Sequence, residues 1–360
     1  MIQAKKLSPF FSARYSDLLL SLEHSFIERF GLAGREGSFV CKTVKGRKYW
    51  YFQFMEEGKQ KPVFIGSDSG GIRQAIQETK EAKEVIKQLA LSLSSAGGFV
   101  FPGTAGRILS SMGDSGLFLS GAVIVGTNAF MSYQNVFGIR WQGVSSAMQT
   151  TDIDFAQFSR FKVGVPLDVS SSIRRTLADI EAHPIWKSLH PKDPTWTILM
   201  RKESFSLEFL SPLIGKDEEE ERPVSLPWVG VHSQPLRFMD YLIEHPFHAV
   251  ALAQRSAILV NLPDPGRFAL HKLIVHERRR ATDLIKKEKD LSQAGTLIGF
   301  LSEHHPDFLE TAWTDLLRKH QTWGDIVKKA ARKIPEKIVS QEIVRSILHG
   351  GLKSNLCGSA

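Results

Sequence analysis

The sequence predicts an α+β fold: a mixed sheet with flanking helices, preceded by a small helix and β-hairpin module and followed by a mainly helical region. Three observations predict it. Short apolar or alternating runs cluster between residues 117 and 210, as strands require. Helical patterns fill residues 10–30 and much of the chain after 230, and Ile72–Leu93 is rich in the Lys and Glu of an exposed helix. Breaks at Gly31, Ser94–Gly98 and Ser211–Pro212 separate these blocks. The expected division is 1–95, 96–215 and 216–360.

A chain of 360 residues exceeds one small core, and its 42% hydrophobic and 23% charged content is that of a globular protein. It holds no apolar run of about 18 residues, so no membrane partner is expected. Met1–Lys6 leads into no signal-peptide core. Cys41 and Cys357 are the two cysteines, without metal-ligand spacing, which argues against a zinc site or a disulfide framework. A reducing cytoplasm is the expected setting. The net charge of +8 and the pI near 9.4 point to an anionic partner.

In the first block, Ser38–Phe54 reads as a β-hairpin turning at Lys45-Gly46, with Val63–Gly66 as a third strand. Lys45, Arg47, Lys48, Tyr49 and Trp50 are its candidate nucleic-acid contacts. Basic side chains meet phosphates, and aromatic rings stack on unpaired bases. The same pattern fits a small sheet with an aromatic core and solvated lysines, and the sequence leaves both open. Ile72–Leu93 follows as an exposed charged helix.

In the second block, Leu117–Val125 reads as a buried strand ending in a Gly126-Thr127 turn, with Asn128 opening a helix. Glycine lets a ligand approach the backbone, and the amides of a helix N-terminus favour an anion. Gly126, Thr127 and Asn128 are therefore candidate nucleotide contacts. Thr150–Phe155 alternates apolar residues with Asp152 and Asp154, which share one strand face roughly 7 Å apart at Cα. Two carboxylates so placed call for a cation, and Mg²⁺ with substrate phosphates is the usual solution. Alone, an Asp-x-Asp triplet is more often a solvated pair. Trp196–Met200 and Ser204–Leu210 read as two further strands, joined by Arg201-Lys202-Glu203. Glu208 shares a face with Ser204 and Ser206, and can join the acidic pair as a metal ligand or general base if the strands are neighbours. Otherwise it is a surface residue of an edge strand.

In the third block, the acidic run Asp217–Glu221 reads as a solvated loop and Phe268–Arg280 as a helix. Lys272 can bring a point charge to a triphosphate, whereas His271 reads first as a hydrogen-bonded structural residue. Arg278–Arg280 fits either a solvated face or a grip on nucleic acid. Ser256–Val260 is a short strand candidate among helices, and Arg318–Lys353 forms a basic C-terminal stretch.

Gly126-Thr127-Asn128, Thr151-Asp152-Ile153-Asp154 and Glu208-Phe209-Leu210-Ser211-Pro212-Leu213 resemble the DNA polymerase β-like nucleotidyltransferase fold. Within it, the motifs are similar to a bacterial group of nucleotidyltransferases akin to the AbiEii-type toxins. The likeness covers residues from about 95 to about 290. It implies a polymerase β-like core with Asp152 and Asp154 as metal ligands and Glu208 as third carboxylate. It places Gly126, Thr127 and Lys272 at the triphosphate. The chain departs from the pattern in having Gly-Thr for Gly-Ser, and Glu208 where the group has aspartate. The expected cofactor is two Mg²⁺ ions, with Mn²⁺ as a substitute. The expected partners are an NTP, an RNA acceptor such as a tRNA 3′ end, and a cognate antitoxin if the chain is a toxin. Nucleotidylation of a protein or small molecule, and binding of nucleic acid without catalysis, remain as alternatives.

Overall fold

The structure, a computed structural model, describes residues 4–25, 37–56, 59–142, 152–158, 197–200, 205–213, 223–226, 231–254, 256–319 and 321–348. The Arg201-Lys202-Glu203 turn, Ser204, the acidic run Asp217–Glu221 and Ser354–Ala360 lie outside them.

The order is β1 (Ala4–Lys6), α1 (Pro9–Ser25), β2 (Gly37–Val44), β3 (Arg47–Glu56), β4 (Lys59–Ser67), α2 (Gly70–Ser95), α3 (Gly103–Asp114), β5 (Val123–Val125) and α4 (Gly126–Val136). There follow β6 (Ile139–Trp141), β7 (Asp152–Ala156), β8 (Thr197–Met200), β9 (Phe205–Pro212), β10 (Val224–Leu226), β11 (Val231–Leu236) and α5 (Met239–Ile243). The last elements are β12 (Phe247–Ala253), β13 (Ser256–Leu262), α6 (Pro265–Arg278), α7 (Leu284–His304), α8 (Pro306–Lys319), α9 (Gln321–Ala331) and α10 (Gln341–Leu348).

The N-terminal strands form an antiparallel sheet in the order β2-β3-β4. Lys45 and Gly46 both take positive φ at the β2–β3 turn, the backbone that matches strand twist in a two-residue hairpin. Helix α2 starts where the Ser69 hydroxyl accepts the Ile72 amide. Helices α1 and α2 build a small core with the β12–β13 hairpin, through Phe11, Leu18, Leu93, Val250 and Leu252. The Tyr15 hydroxyl accepts the Val250 amide there, at 2.9 Å.

The central sheet runs β10-β11-β9-β7-β5, with β8 also paired to β9. It is mixed: β7–β9 and β9–β11 are parallel, and β5–β7 is antiparallel. Strands on both sides of residue 215 belong to this sheet, so the expected division there runs through a continuous layer. Helix α6 is buried along nearly its whole length, starting from the Asp264 side-chain cap and Pro265. Tyr133 of α4 packs edge-on to Phe268 of α6 and donates its hydroxyl to the Pro263 carbonyl at 2.8 Å.

Two local expectations differ from the structure. Only Val123–Val125 of the Leu117–Val125 run is a strand. Gly116 and Gly121 adopt φ of 82° and 87°, and the Ala122 amide donates to the Leu117 carbonyl, so the apolar segment folds into buried turns. The second difference is β12, which pairs along its full length with β13 although the region reads as helical in sequence. Alanine-rich Phe247–Ala253 favours helix locally, and pairing with β13 prevails.

Candidate active site

The parallel pairing of β7 with β9 sets the site. Asp152 lies opposite Ser206 and Asp154 opposite Glu208, so the three carboxylates alternate onto one face of two adjacent strands. The apolar residues between them, Ile153, Phe155, Leu207 and Phe209, are buried on the other face. The Ser206 hydroxyl donates to Asp152 Oδ1. Asp152, Asp154 and Glu208 are each only half-buried, which leaves them accessible to a ligand.

Strand β5 enters from the other side, with Val125 opposite Asp154, and the chain turns at Gly126 into α4. Gly126 has φ of 64°, and a Cβ there would collide with Asp154 Oδ2. Only glycine allows that close approach of carboxylate and backbone. No side chain caps α4, so its first amides point beside the carboxylates with their partial positive charge. Asn128 uses its amide to donate to the Asp152 carbonyl at 2.6 Å, fastening α4 to β7. Thr127 Oγ1 accepts from Gln293 Nε2 of α7 at 3.2 Å.

Burial, and then the charge of Glu208, push the Asp154 carboxyl up to about 7; Lys272 and Lys289 pull in the opposite direction. Burial and Asp152 likewise raise Glu208 against the pull of Lys286 and Arg279. Burial thus disfavours the ionised form of both carboxyls, and a cation joining them would offset that cost. Among the described residues no three acidic, histidine or cysteine side chains form a ready-made cage. Carboxylate oxygens of this kind could hold Mg²⁺ only by sharing it with substrate oxygens.

Lys272 lies close enough for its charge to act on Asp154, and it is also held by a carboxylate of the next helix. Its ammonium donates to Asp290 Oδ1 at 2.8 Å, inside the α6–α7 interface. Arg279 Nε donates to the other oxygen of the same carboxylate. His271 is buried beside it, and burial followed by the Lys272 charge lowers its pKa to about 3. Lys286, Lys289, Asp290 and Gln293 also meet the site, and none of them stands out in the sequence. Their signal is present as spacings of three and four residues in Leu284–His304, but which face of that helix meets the carboxylates depends on tertiary packing.

The hairpin candidates sit on the separate β2-β3-β4 sheet. Tyr49 and Trp50 point to opposite faces, as neighbours on a strand must. Trp50 donates its indole N–H to Asp68 at 2.9 Å. Tyr49 and Tyr51 instead flank Phe64, with ring centroids 6.0 and 5.6 Å away, and Lys42 lies 5.4 Å above Tyr51. Arg47 shares that outer face by register, Lys48 does not, and Lys45 lies at the exposed turn.

No curated protein and no solved structure matches the chain. A family model described as nucleotidyltransferase matches residues 104–318, which span α3 to α8 and so include the whole carboxylate site.

Proposed function

Because the chain belongs to the nucleotidyltransferase family, we propose that the β7–β9 carboxylates carry a metal-dependent transfer of a nucleotidyl group from an NTP to an acceptor hydroxyl. The observation that carries this reading is the register placing Asp154 beside Glu208 and Asp152 beside Ser206, with Gly126 against Asp154. In the reaction the acceptor oxygen bonds to the α-phosphorus, pyrophosphate leaves and the hydroxyl proton is lost.

Asp152 and Asp154, with Glu208 as third carboxylate, would hold two Mg²⁺ ions, or Mn²⁺ in their place. Bound there, the ions supply positive charge to the phosphates and to the acceptor oxygen. The Ser206 hydroxyl, donating to Asp152 Oδ1, would orient that carboxylate. Glu208, raised by burial and by Asp152, would serve as a base for the hydroxyl proton. Gly126 and Thr127 at the start of α4 offer backbone amides to the phosphates, and Asn128 fixes the distance between that turn and β7.

RNA is the acceptor this surface suits best. The outer face of β2-β3-β4 presents Tyr49, Tyr51 and Phe64 with Lys42 and Arg47, and Phe64 is 57% exposed. Rings among cations on an open sheet stack unpaired bases and meet phosphates. A tRNA 3′ end is such a single strand. The resemblance to AbiEii-type enzymes extends the reading to a toxin restrained by an antitoxin. Growth arrest on expression, lost in Asp152→Ala, is the expected sign; a harmless wild type counts against it.

The direct test incubates the protein with labelled NTPs, Mg²⁺ and fractionated cellular RNA, protein and small molecules. Label is expected in RNA and absent with the Asp152→Ala/Asp154→Ala double variant. Persistence of labelling in that variant sinks the catalytic assignment, and label in another fraction replaces the RNA acceptor.

A further inference from the structure

The side of α7 that faces the carboxylates carries Lys286, Lys289 and Gln293, at i, i+3 and i+7, successive positions on one helix face. Gln293 fixes where that face points, because its amide meets Thr127 beside Gly126. One turn earlier, Lys289 stands where its charge acts on both Asp152 and Asp154. One turn earlier again, the charge of Lys286 acts on Glu208. Exposure falls along the series, from exposed Lys286 through half-buried Lys289 to fully buried Gln293, as along the wall of a cleft from lip to floor. Gln293 also leaves its buried Oε1 without a hydrogen-bond partner among the described residues, an acceptor that a ligand hydroxyl or bound water can satisfy.

Lys272 and Lys289 differ in one respect that decides their roles. Lys272 is committed to Asp290, whose side chain is 2% exposed and already holds Arg279 as well. Lys289 forms no ion pair among the described residues. An ammonium that feels Asp152, Asp154 and Asp290 but pairs directly with none of them is placed for an anion that arrives with its own cations.

We propose that Lys286, Lys289 and Gln293 form the triphosphate wall of the site, with Lys289 contacting the departing phosphates and Lys272 acting as a positioning residue that locks α6 to α7. The assignment rests on the nucleotidyl-transfer reading above. It names the chemical group recognised, the β- and γ-phosphates, rather than the base.

The test measures binding of an α,β-methylene NTP, of the matching nucleoside monophosphate and of inorganic triphosphate to the full chain with Mg²⁺. Lys289→Met and Lys289→Gln are each expected to weaken NTP and triphosphate binding by about tenfold or more, the scale of one charge-assisted contact. Monophosphate binding and the unliganded melting temperature should stay as in wild type, and Lys289→Arg should recover most of the affinity. Lys272→Met should instead lower the melting temperature. NTP affinity within about twofold of wild type in both Lys289 variants overturns the assignment, as does an equal loss for monophosphate and triphosphate. A wild-type chain that binds no NTP overturns the nucleotidyl-transfer reading itself, a different outcome from a wild type that binds and a Lys289 variant that binds equally well.

Discussion

Asp154 and Asp290 are both carboxylates in buried surroundings that feel the charge of Lys272, yet they titrate in opposite directions. Burial pushes each up. At Asp290 the adjacent Lys272 and Arg279 outweigh burial and hold the carboxyl below its ordinary range. At Asp154 the nearest charges include Glu208 and Asp152, and the carboxyl rises to about 7. The first group is neutralised from within the chain, so it serves as structure. The second is raised first by burial and then by neighbouring carboxylates, and no ion pair within the described residues holds it down. A buried charge says little by itself; its balance against its neighbours distinguishes a strut from a site.

The sharpest way to break this comparison is at Asp290. Asp290→Asn leaves Lys272 and Arg279 without their shared carboxylate, and removing one partner of a buried pair costs about 3–5 kcal/mol. Chemical denaturation should show a large loss of stability, and an unchanged midpoint would remove Asp290 from the structural role. Asp154→Asn should act in the opposite sense. A carboxyl held at about 7 in the folded chain binds its proton more tightly than the unfolded chain does, whose value is near 3.8. Its ionisation therefore costs stability as pH rises from the lower value through the higher. In metal-free buffer Asp154→Asn should melt no lower than wild type, with a relative gain that grows between pH 5 and pH 8, while transfer activity is lost. A drop in melting temperature at pH 8 would show that the charge at Asp154 is satisfied by the fold.

A third effect is at His271, a neutral group on the structural side. Its folded pKa of about 3 lies below the ordinary 6.5, so the unfolded chain takes up the proton first on acidification. Wild-type stability should fall as pH drops from 6.5 towards 3, and His271→Gln should flatten that part of the melting curve against pH. Equal acid slopes in the two proteins would show that other groups set it.

Much of the site was legible because it is written in strand periodicity. Asp152, Asp154, Ser206 and Glu208 fall on one face by alternation alone, and the Lys45-Gly46 turn announces its hairpin. What was not legible depends on partners distant in sequence. Lys272 reads as a reaching cation until Asp290, on another helix, is seen to hold it. Tyr49 and Trp50 look like a pair on paper, although the pleat separates them and brings Phe64 to Tyr49 from the next strand. Leu117–Gly121 is apolar enough for a strand, but two glycines at positive φ fold it into turns. Local periodicity predicts a face; only packing says what that face meets.

The parallel register of β7 and β9 makes the site sensitive to counting. A strand transmits orientation in steps of two, so inserting or deleting one residue within Phe205–Ser206-Leu207-Glu208 would turn hydrophobic Leu207 or Phe209 towards the carboxylate face and Glu208 into the core. A length change outside the paired strands carries no such penalty. Gene variants of this enzyme should therefore vary in length between these strands and keep the Asp152-to-Asp154 and Ser206-to-Glu208 intervals fixed, as two rulers laid side by side.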